Sequence, residues 1–253
     1  MEAWAILLAA GKGTRMKSEL PKVLHPVGGV PMIGRLVDKL EAMPITGIVT
    51  VVGHRGDLVE KCLGTRVIYA QQEKQLGTAH AVLQAEPHLK GRSGSTMVLT
   101  GDTPLIRPST IERLLAAQRA GASAGVVLTA FVQDPTGYGR IIRDAASGEV
   151  VDIIEEKDAT PEQKRITEIN TGIFCFDNES LFEALPGITN ANAQQEYYLT
   201  DIVKVMHQRG ISGAHKRFEA VTLEDGTEVM GINTPEQLEE ANRAFYERKG
   251  IFA

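Results

Sequence analysis

Two glycines, two cations and a run of small apolar residues sit together near the start of this chain. The segment Leu7-Leu8-Ala9-Ala10-Gly11-Lys12-Gly13-Thr14-Arg15-Met16 is followed at once by Leu20-Pro21-Lys22. Gly11 and Gly13 let the backbone turn tightly and aim consecutive N–H groups at an anion. Small Ala9 and Ala10 leave room for a flat ring to approach the apolar run. Arg15 and Lys22 add two fixed positive charges within the same loop. The spacing is not G-x-x-x-x-G-K-[ST], and the third glycine of G-x-G-x-x-G is missing, so neither phosphate-binding fingerprint fits. The plainer alternative is a glycine-rich turn carrying solvated cations.

Other segments carry polar groups that suit the same kind of ligand. Gln71-Gln72 with Leu76-Gly77-Thr78-Ala79-His80-Ala81 pairs an amide, which both donates and accepts, with a glycine that lets backbone come close to a flat ring. An ordinary helix start explains it too, and His80 reads as structural rather than catalytic. Leu99-Thr100-Gly101-Asp102-Thr103-Pro104-Leu105 sets a carboxylate at the carboxyl end of an apolar run, the edge of an open α/β sheet where ligands bind. Asn233, in Gly231-Ile232-Asn233-Thr234-Pro235, reads alone as a turn residue before a cap. No Ser/His/Asp or Cys/His constellation is evident, so nothing points to a covalent enzyme intermediate.

The elements that must position these groups follow from hydrophobic periodicity. Apolar runs at 4–9, 47–53, 66–70, 96–100 and 125–132 read as strands, and their unbroken apolarity implies burial on both faces. Between them, 31–43, 56–63, 77–89 and 108–120 carry helical spacing, two of them opening on Pro31 and on Pro108-Ser109-Thr110. This alternation predicts an α/β fold, a Rossmann-like doubly wound and mostly parallel sheet with right-handed crossovers. After about residue 133 the pattern is mixed. Segments 139–143 and 149–155 read as a hairpin, 169–176 as a strand and 196–208 as a helix. Thr234-Pro235-Glu236-Gln237 offers an N-cap, a proline at N1 and a capping-box glutamine for a last helix that runs to Lys249 and stops at Gly250.

Composition narrows the classes of function. The 253 residues suffice for a core that needs no staple. Acids outnumber bases, 32 to 27, for a formal charge of −5, which argues against a nucleic-acid coat or an anionic-membrane binder. A few cations in one cleft still suffice for phosphate ligands. Cys62 and Cys175 are far apart in sequence, so neither a disulfide framework nor a zinc knuckle is expected and a reducing cytoplasm fits. The apolar start at 4–10 has no basic region before it and no cleavage site after it, and no run is long enough to span a membrane.

The string Leu8-Ala9-Ala10-Gly11-Lys12-Gly13-Thr14-Arg15-Met16 with Pro21-Lys22 resembles the signature of sugar-nucleotide pyrophosphorylases. The short step from Arg15 to Pro21-Lys22 is similar to the uridyltransferase half of the bacterial bifunctional N-acetylglucosamine-1-phosphate uridyltransferase/glucosamine-1-phosphate acetyltransferase. The remaining segments occur in the order this resemblance demands. It implies Mg²⁺-dependent transfer of UMP from UTP to N-acetylglucosamine-1-phosphate, for peptidoglycan precursor synthesis. Leu8, Ala9, Ala10, Gly11, Gly13, Thr14 and Lys22 would hold the nucleotide, Gln72 and Gly77 its uracil, and Thr78 would lie beside it. Arg15, Lys22 and Asp102 would carry catalysis, with Asp102 and Asn233 on Mg²⁺. Gly139, Glu155 and Asn170 would recognise the amino sugar. Glu196 would line that pocket, though a helix N-terminus explains it equally well.

The resemblance also implies a nucleotidyltransferase domain over 1–233, its nucleotide part at about 1–132 and its sugar part at about 133–233, then an exit helix at 234–253. Glu156 and the slightly long turn at 144–148 depart from the family pattern without touching the mapped positions. Nothing up to Ala253 resembles the family's hexapeptide β-helix, so no acetyltransferase activity is expected, and the chain would be a monomer or weak oligomer. The ending just past a helix stop leans toward an excised domain. A nucleotidyltransferase of other specificity, such as a cytidylyltransferase for a polyol phosphate or a molybdenum-cofactor precursor, is the nearest rival reading. A silent nucleotide-binding regulator is a further one, against which intact Arg15, Lys22 and Asp102 count.

Overall fold

The computed structural model describes residues 1–120, 123–209 and 218–250. In chain order the strands are β1 (Ala3–Ala9), β2 (Pro26–Val27), β3 (Val30–Pro31), β4 (Gly47–Val52), β5 (Ile68–Gln71), β6 (Ser95–Thr100), β7 (Gly125–Phe131), β8 (Arg140–Arg143), β9 (Val150–Ile154), β10 (Glu168–Asp177) and β11 (Phe218–Leu223). The helices are α1 (Met32–Glu41), α2 (Gly56–Leu63), α3 (Thr78–Leu83), α4 (Glu86–Leu89), α5 (Pro108–Ala120), α6 (Asn178–Ala184), α7 (Ile202–Arg209) and α8 (Pro235–Arg248). Among the described residues the main sheet runs β11-β7-β10-β6-β1-β4-β5, with β8 and β9 attached through β10.

The apolar runs are apolar because both faces of the sheet are covered. Along β1, Ala3, Ala5, Leu7 and Ala9 enter one core layer with Ile33, Leu36 and Leu40 of α1 and Val59 and Leu63 of α2. The alternate residues Trp4 and Ile6 enter the opposite layer with Ala79 and Val82 of α3 and Leu181 of α6. Strand side chains point alternately to opposite faces, so a strand sandwiched by helices has no polar positions to spare.

β1 pairs in parallel with β4 and β6, with Leu8 opposite Val51 and Thr100. The carboxyl ends of these strands therefore finish side by side, and the glycine loop and the Asp102 loop leave from the same edge. The mixed second half has a definite cause. β10 inserts antiparallel between β6 and β7, and β11 then pairs in parallel with β7. α8 docks back on the first half of the chain: Ala241 packs with Val27, Met32, Leu105 and Ile232, and Asn242 Oδ1 accepts from Gly28 N at 2.8 Å.

Several sequence expectations shift. The helix expected at 77–89 is two helices, because Pro87 in a continuous helix would press its ring on the Leu83 carbonyl. The helix expected at 196–208 begins only with a tight turn at Leu199–Asp201. Glu196–Tyr198 stay non-helical, because the Tyr197 backbone donates to Leu76 O and accepts from Ala79 N, at 2.8 and 2.9 Å. The pair β2–β3, helix α6 (capped by the Asp177 side chain on Ser180 N) and strand β11 carried no sequence signal strong enough to be expected. The capping box at α8 forms in full, and Gly250 has φ +65. Residues 251–253 of the expected chain end lie outside the described residues. Cys62 and Cys175 are both free, and no helix is long and apolar enough to cross a membrane among the described residues.

Candidate active site

At the shared edge of β1 and β6 lies a cleft of about 500 Å³. Its floor and one wall are the glycine loop, with Leu8, Ala9, Ala10, Gly11, Gly13 and Thr14 lining it. Gln72, Gly77 and Thr78 form the opposite wall, and Arg15, Lys22, Asp102, Asn233 and Glu196 complete it. Fourteen positions singled out from sequence are thus brought into one cavity although they span residues 8 to 233.

Local structure explains the placement. Gly13 has φ +60, and a Cβ there would come within 2.7 Å of the Lys22 Cβ. A side chain at 13 would push Lys22 off the loop, so this glycine is needed for close approach as much as for its turn. Pro21 precedes a short helical turn over Lys22–Leu24 whose Val23 and Leu24 are buried, which anchors the stem of Lys22. The Asn233 loop is tied down twice, by Ile232 N donating to Asp102 O at 3.0 Å and by Asn233 N donating to Gln237 Oε1 at 2.8 Å. The helix that caps itself with Gln237 thereby sets the position of Asn233.

At the cleft mouth the charges form one cluster. Lys22 Nζ donates to Asp102 Oδ2 and, at 2.8 Å, to Asn233 Oδ1, which also accepts from Arg15 Nη2 at 2.9 Å. The Lys22 and Asp102 side chains are only 17% and 15% exposed, so this pair is shielded from bulk solvent and stronger than a surface pair. Two oxygens from distant loops converge on a single cation.

Gly77 has φ +111, and a Cβ there would lie 2.5 Å from Tyr197 O. The glycine admits the Tyr197 backbone, a reason the sequence alone did not suggest. Gln72, 3% exposed, donates through Nε2 to Gly77 O at 3.1 Å and lies 3.0 Å from His80 Nδ1.

Gly139, Glu155 and Asn170 do not line this cleft but form a cluster of their own beside it. Asn170 N donates to Gly139 O at 2.8 Å, and a Cβ on Gly139 would sit 3.3 Å from Glu155 Oε1 and 3.4 Å from Asn170 Cβ. A bulge in β10 between Asn170 and Phe174 lets Gly172 N donate to Asn170 Oδ1 at 2.9 Å, leaving the Asn170 NH₂ as the open end of its amide. The same bulge brings Gly172 against Thr100, which lines the cleft. Burial raises the Tyr138 hydroxyl above its ordinary value, helped by the charge of Asp102. Burial also pushes the Glu155 carboxyl up, opposed by its bond from Thr200 Oγ1 at 3.2 Å.

Some participants escaped sequence reasoning. Thr200 holds Glu155, and its only signal was its place four residues after Glu196. Lys12 and Gln75 line the cleft, and Lys12 stood unassigned inside the glycine string. Glu156, expected not to touch the mapped positions, pairs instead with Arg140 Nη2 at 2.7 Å and accepts from Gly137 N at 3.4 Å, both unassigned from sequence. Arg140 is 1% exposed and directly follows Gly139. Behind Glu155, Asp152, Asp158 and Asp201 face Lys204 in a second cleft of about 370 Å³. Burial, with Asp152 adding to it, lifts the Asp201 carboxyl to about 6.

A glycine loop, a shielded cation–carboxylate cluster and a buried amide meet on one sheet edge, in keeping with a nucleotidyltransferase of the α/β class. The fold agrees with two crystal structures of a UDP-glucose pyrophosphorylase, one apo and one complexed with UDP-glucose. Each superposes with a TM-score of 0.76 at 19% and 20% identity, covering 98% of this chain and all of that one. Residues 5–167 match the family model of the MobA-like NTP transferase domain, and the chain belongs to that family. It is 49% identical over 245 residues to the bifunctional protein GlmU of Enterococcus faecalis, which covers 97% of this chain and 52% of the relative. The GlmU proteins of Halalkalibacterium halodurans and Geobacillus thermodenitrificans are 48% and 47% identical, covering 97% and 98% of this chain and 52% and 53% of theirs. The chain spans about half the length of these curated relatives.

Proposed function

We propose that this chain transfers UMP from UTP to N-acetylglucosamine-1-phosphate, releasing pyrophosphate and forming UDP-N-acetylglucosamine. The observation that carries the reading is the convergence of Lys22, Arg15, Asp102 and Asn233 at the mouth of the glycine-loop cleft. The similarity to GlmU proteins supports the choice of substrates.

The sugar phosphate is already an anionic nucleophile, so the reaction needs no general base. It needs in-line positioning of two anions and neutralisation of the charge that builds on the leaving pyrophosphate. The loop N–H groups from Gly11 to Thr14 orient the triphosphate, while Lys22 and Arg15 face the charge that develops on departure. Gln72 and the Gly77 backbone meet the base. Gly139, Glu155 and Asn170 meet the hydroxyl and acetamido groups of the sugar, and a sugar that left these buried polar groups unpaired would be rejected.

A divalent cation fits the residues present. Among the described residues no three His, Cys, Asp or Glu side chains cluster to hold a metal, which disfavours a zinc-type cage. Asp102 and Asn233 instead offer two hard oxygens that already share one cation, the Lys22 ammonium. Mg²⁺ characteristically takes one or two protein oxygens and completes its shell with phosphates and water. Bound there, it would supply charge neutralisation on the phosphates.

The reading is tested by turnover of a panel of nucleoside triphosphates and sugar phosphates, with coupled detection of pyrophosphate. UTP with N-acetylglucosamine-1-phosphate should be the best pair. A preference for CTP with a polyol phosphate would replace this reading with the cytidylyltransferase one, and UTP binding without turnover on any acceptor would replace it with the regulator.

A further inference from the structure

The Gln72 amide has two ends, and the protein uses only one of them. Its Nε2 donates to Gly77 O at 3.1 Å and lies 3.0 Å from His80 Nδ1. An amide nitrogen is a donor and never an acceptor. His80 Nδ1 must therefore be the bare, accepting nitrogen, and the ring proton belongs on Nε2. On its far side His80 Nε2 lies 3.3 Å from Gln84 Nε2. That contact is longer, and Gln84 Nε2 already has an acceptor in the His80 carbonyl at 2.8 Å, so it places no demand on the ring nitrogen; Gln72 is 3% exposed. Turning Gln72 over would set its oxygen against the Gly77 carbonyl, two acceptors with no proton between them. The Gln72 nitrogen is thus held from two sides, and Oε1, which has no protein partner among the described residues, is the end that remains for the cleft.

We propose that His80 is a positioning residue that fixes the sense of the Gln72 amide, so that the base wall offers an acceptor rather than a donor. This rests on the uridyl-transfer reading above and deepens it. A uracil ring carries N3–H and satisfies an acceptor. A cytosine ring has a bare N3, and its lone pair would face the Gln72 oxygen. The discrimination between the two bases then depends on a histidine that never touches either. Without the Nδ1 acceptor, one of the two restraints on the amide is gone, and the flipped amide that suits cytosine becomes accessible.

The test compares kcat/KM for UTP and for CTP in the wild type, in His80→Leu and in His80→Asn, whose Oδ1 restores an acceptor near the place of Nδ1. His80→Leu should lower the UTP:CTP ratio about tenfold, through KM rather than kcat, and His80→Asn should recover most of it. An unchanged ratio in a folded His80→Leu protein overturns the proposal. Should that variant fail to fold, the ¹⁵N resonances of the wild-type imidazole decide. A pyridine-like Nδ1 and a protonated Nε2 support the assignment, and the opposite tautomer overturns it. A wild type that turns over no UTP at all would instead overturn the uridyl-transfer reading, while the tautomer measurement would still report on His80.

Discussion

Replacing Gly77 by alanine separates a glycine needed by the fold from a glycine needed by a ligand. Its φ of 111° and ψ of 175° lie in a region that is essentially reserved for glycine, at a cost of roughly 1–3 kcal/mol for other residues. The new Cβ would meet Tyr197 O, N and C at 2.5, 2.7 and 2.9 Å. These are backbone atoms, and they are held by bonds to Leu76 and Ala79, so relief requires stretching those bonds at about 1 kcal/mol each. With the backbone cost taken at its lower bound, the sum is about 3 kcal/mol. For a domain of this size each kcal/mol moves Tm by roughly 2–4 °C, giving a fall of about 6–12 °C. Gly11→Ala is the matched control: its Cβ would meet no atom within 4 Å, and its φ is outside the left-handed region. It should melt within about 2 °C of the wild type yet lose UTP affinity, because its methyl would enter the cleft. Thermal melts by circular dichroism with UTP titration by calorimetry read both quantities. A Gly77→Ala protein as stable as the wild type, or a Gly11→Ala protein as unstable as Gly77→Ala, would refute the reasoning.

Two further outcomes follow from charge burial. Glu156→Ala strands the buried Arg140 guanidinium and should cost about 3 kcal/mol in urea unfolding, with a raised KM for the sugar phosphate because Arg140 adjoins Gly139; a loss below about 1 kcal/mol would contradict the pairing. Asp201 has a folded pKa of about 6 against 3.8 for the free group, so the folded state holds its proton more tightly. Its contribution is present below pH 3.8 and is lost as pH rises to 6, leaving a net penalty above that. Discounted for its partial exposure, that penalty is on the order of 1 kcal/mol. Asp201→Asn should therefore raise Tm at pH 8 by a few degrees, with no such gain at pH 3.5; equal gains at both would contradict the assignment.

Much of the first half of the chain was legible because local rules and the global fold agree there. An unbroken apolar strand, a glycine turn and two cations at fixed spacing all demand one sheet edge, and Asp102 falls on it by the same rule. What was not legible depends on contacts between distant segments. Nothing around 196–198 says that the Tyr197 backbone will lie on Gly77 and keep those residues out of a helix. Glu156 looks like an ordinary surface acid until β8 and β9 pair and bury Arg140 against it. Both nitrogens of His80 find amides 4 and 8 residues away, a geometry set only once the turn at Gly77 is made. The antiparallel entry of β10 between β6 and β7 likewise follows from chain crossing, which hydrophobic periodicity does not encode.

The central claim, that nucleotidyl transfer occurs at the Lys22–Asp102–Asn233 mouth of the cleft, is tested most directly by product analysis with Asp102 intact and removed. With Mg²⁺, UTP and N-acetylglucosamine-1-phosphate, the wild type should form UDP-N-acetylglucosamine and pyrophosphate in equal amounts. Folded Asp102→Ala protein should form them at least about 100-fold more slowly. Near-normal turnover by Asp102→Ala, or no transfer by the wild type, would contradict it.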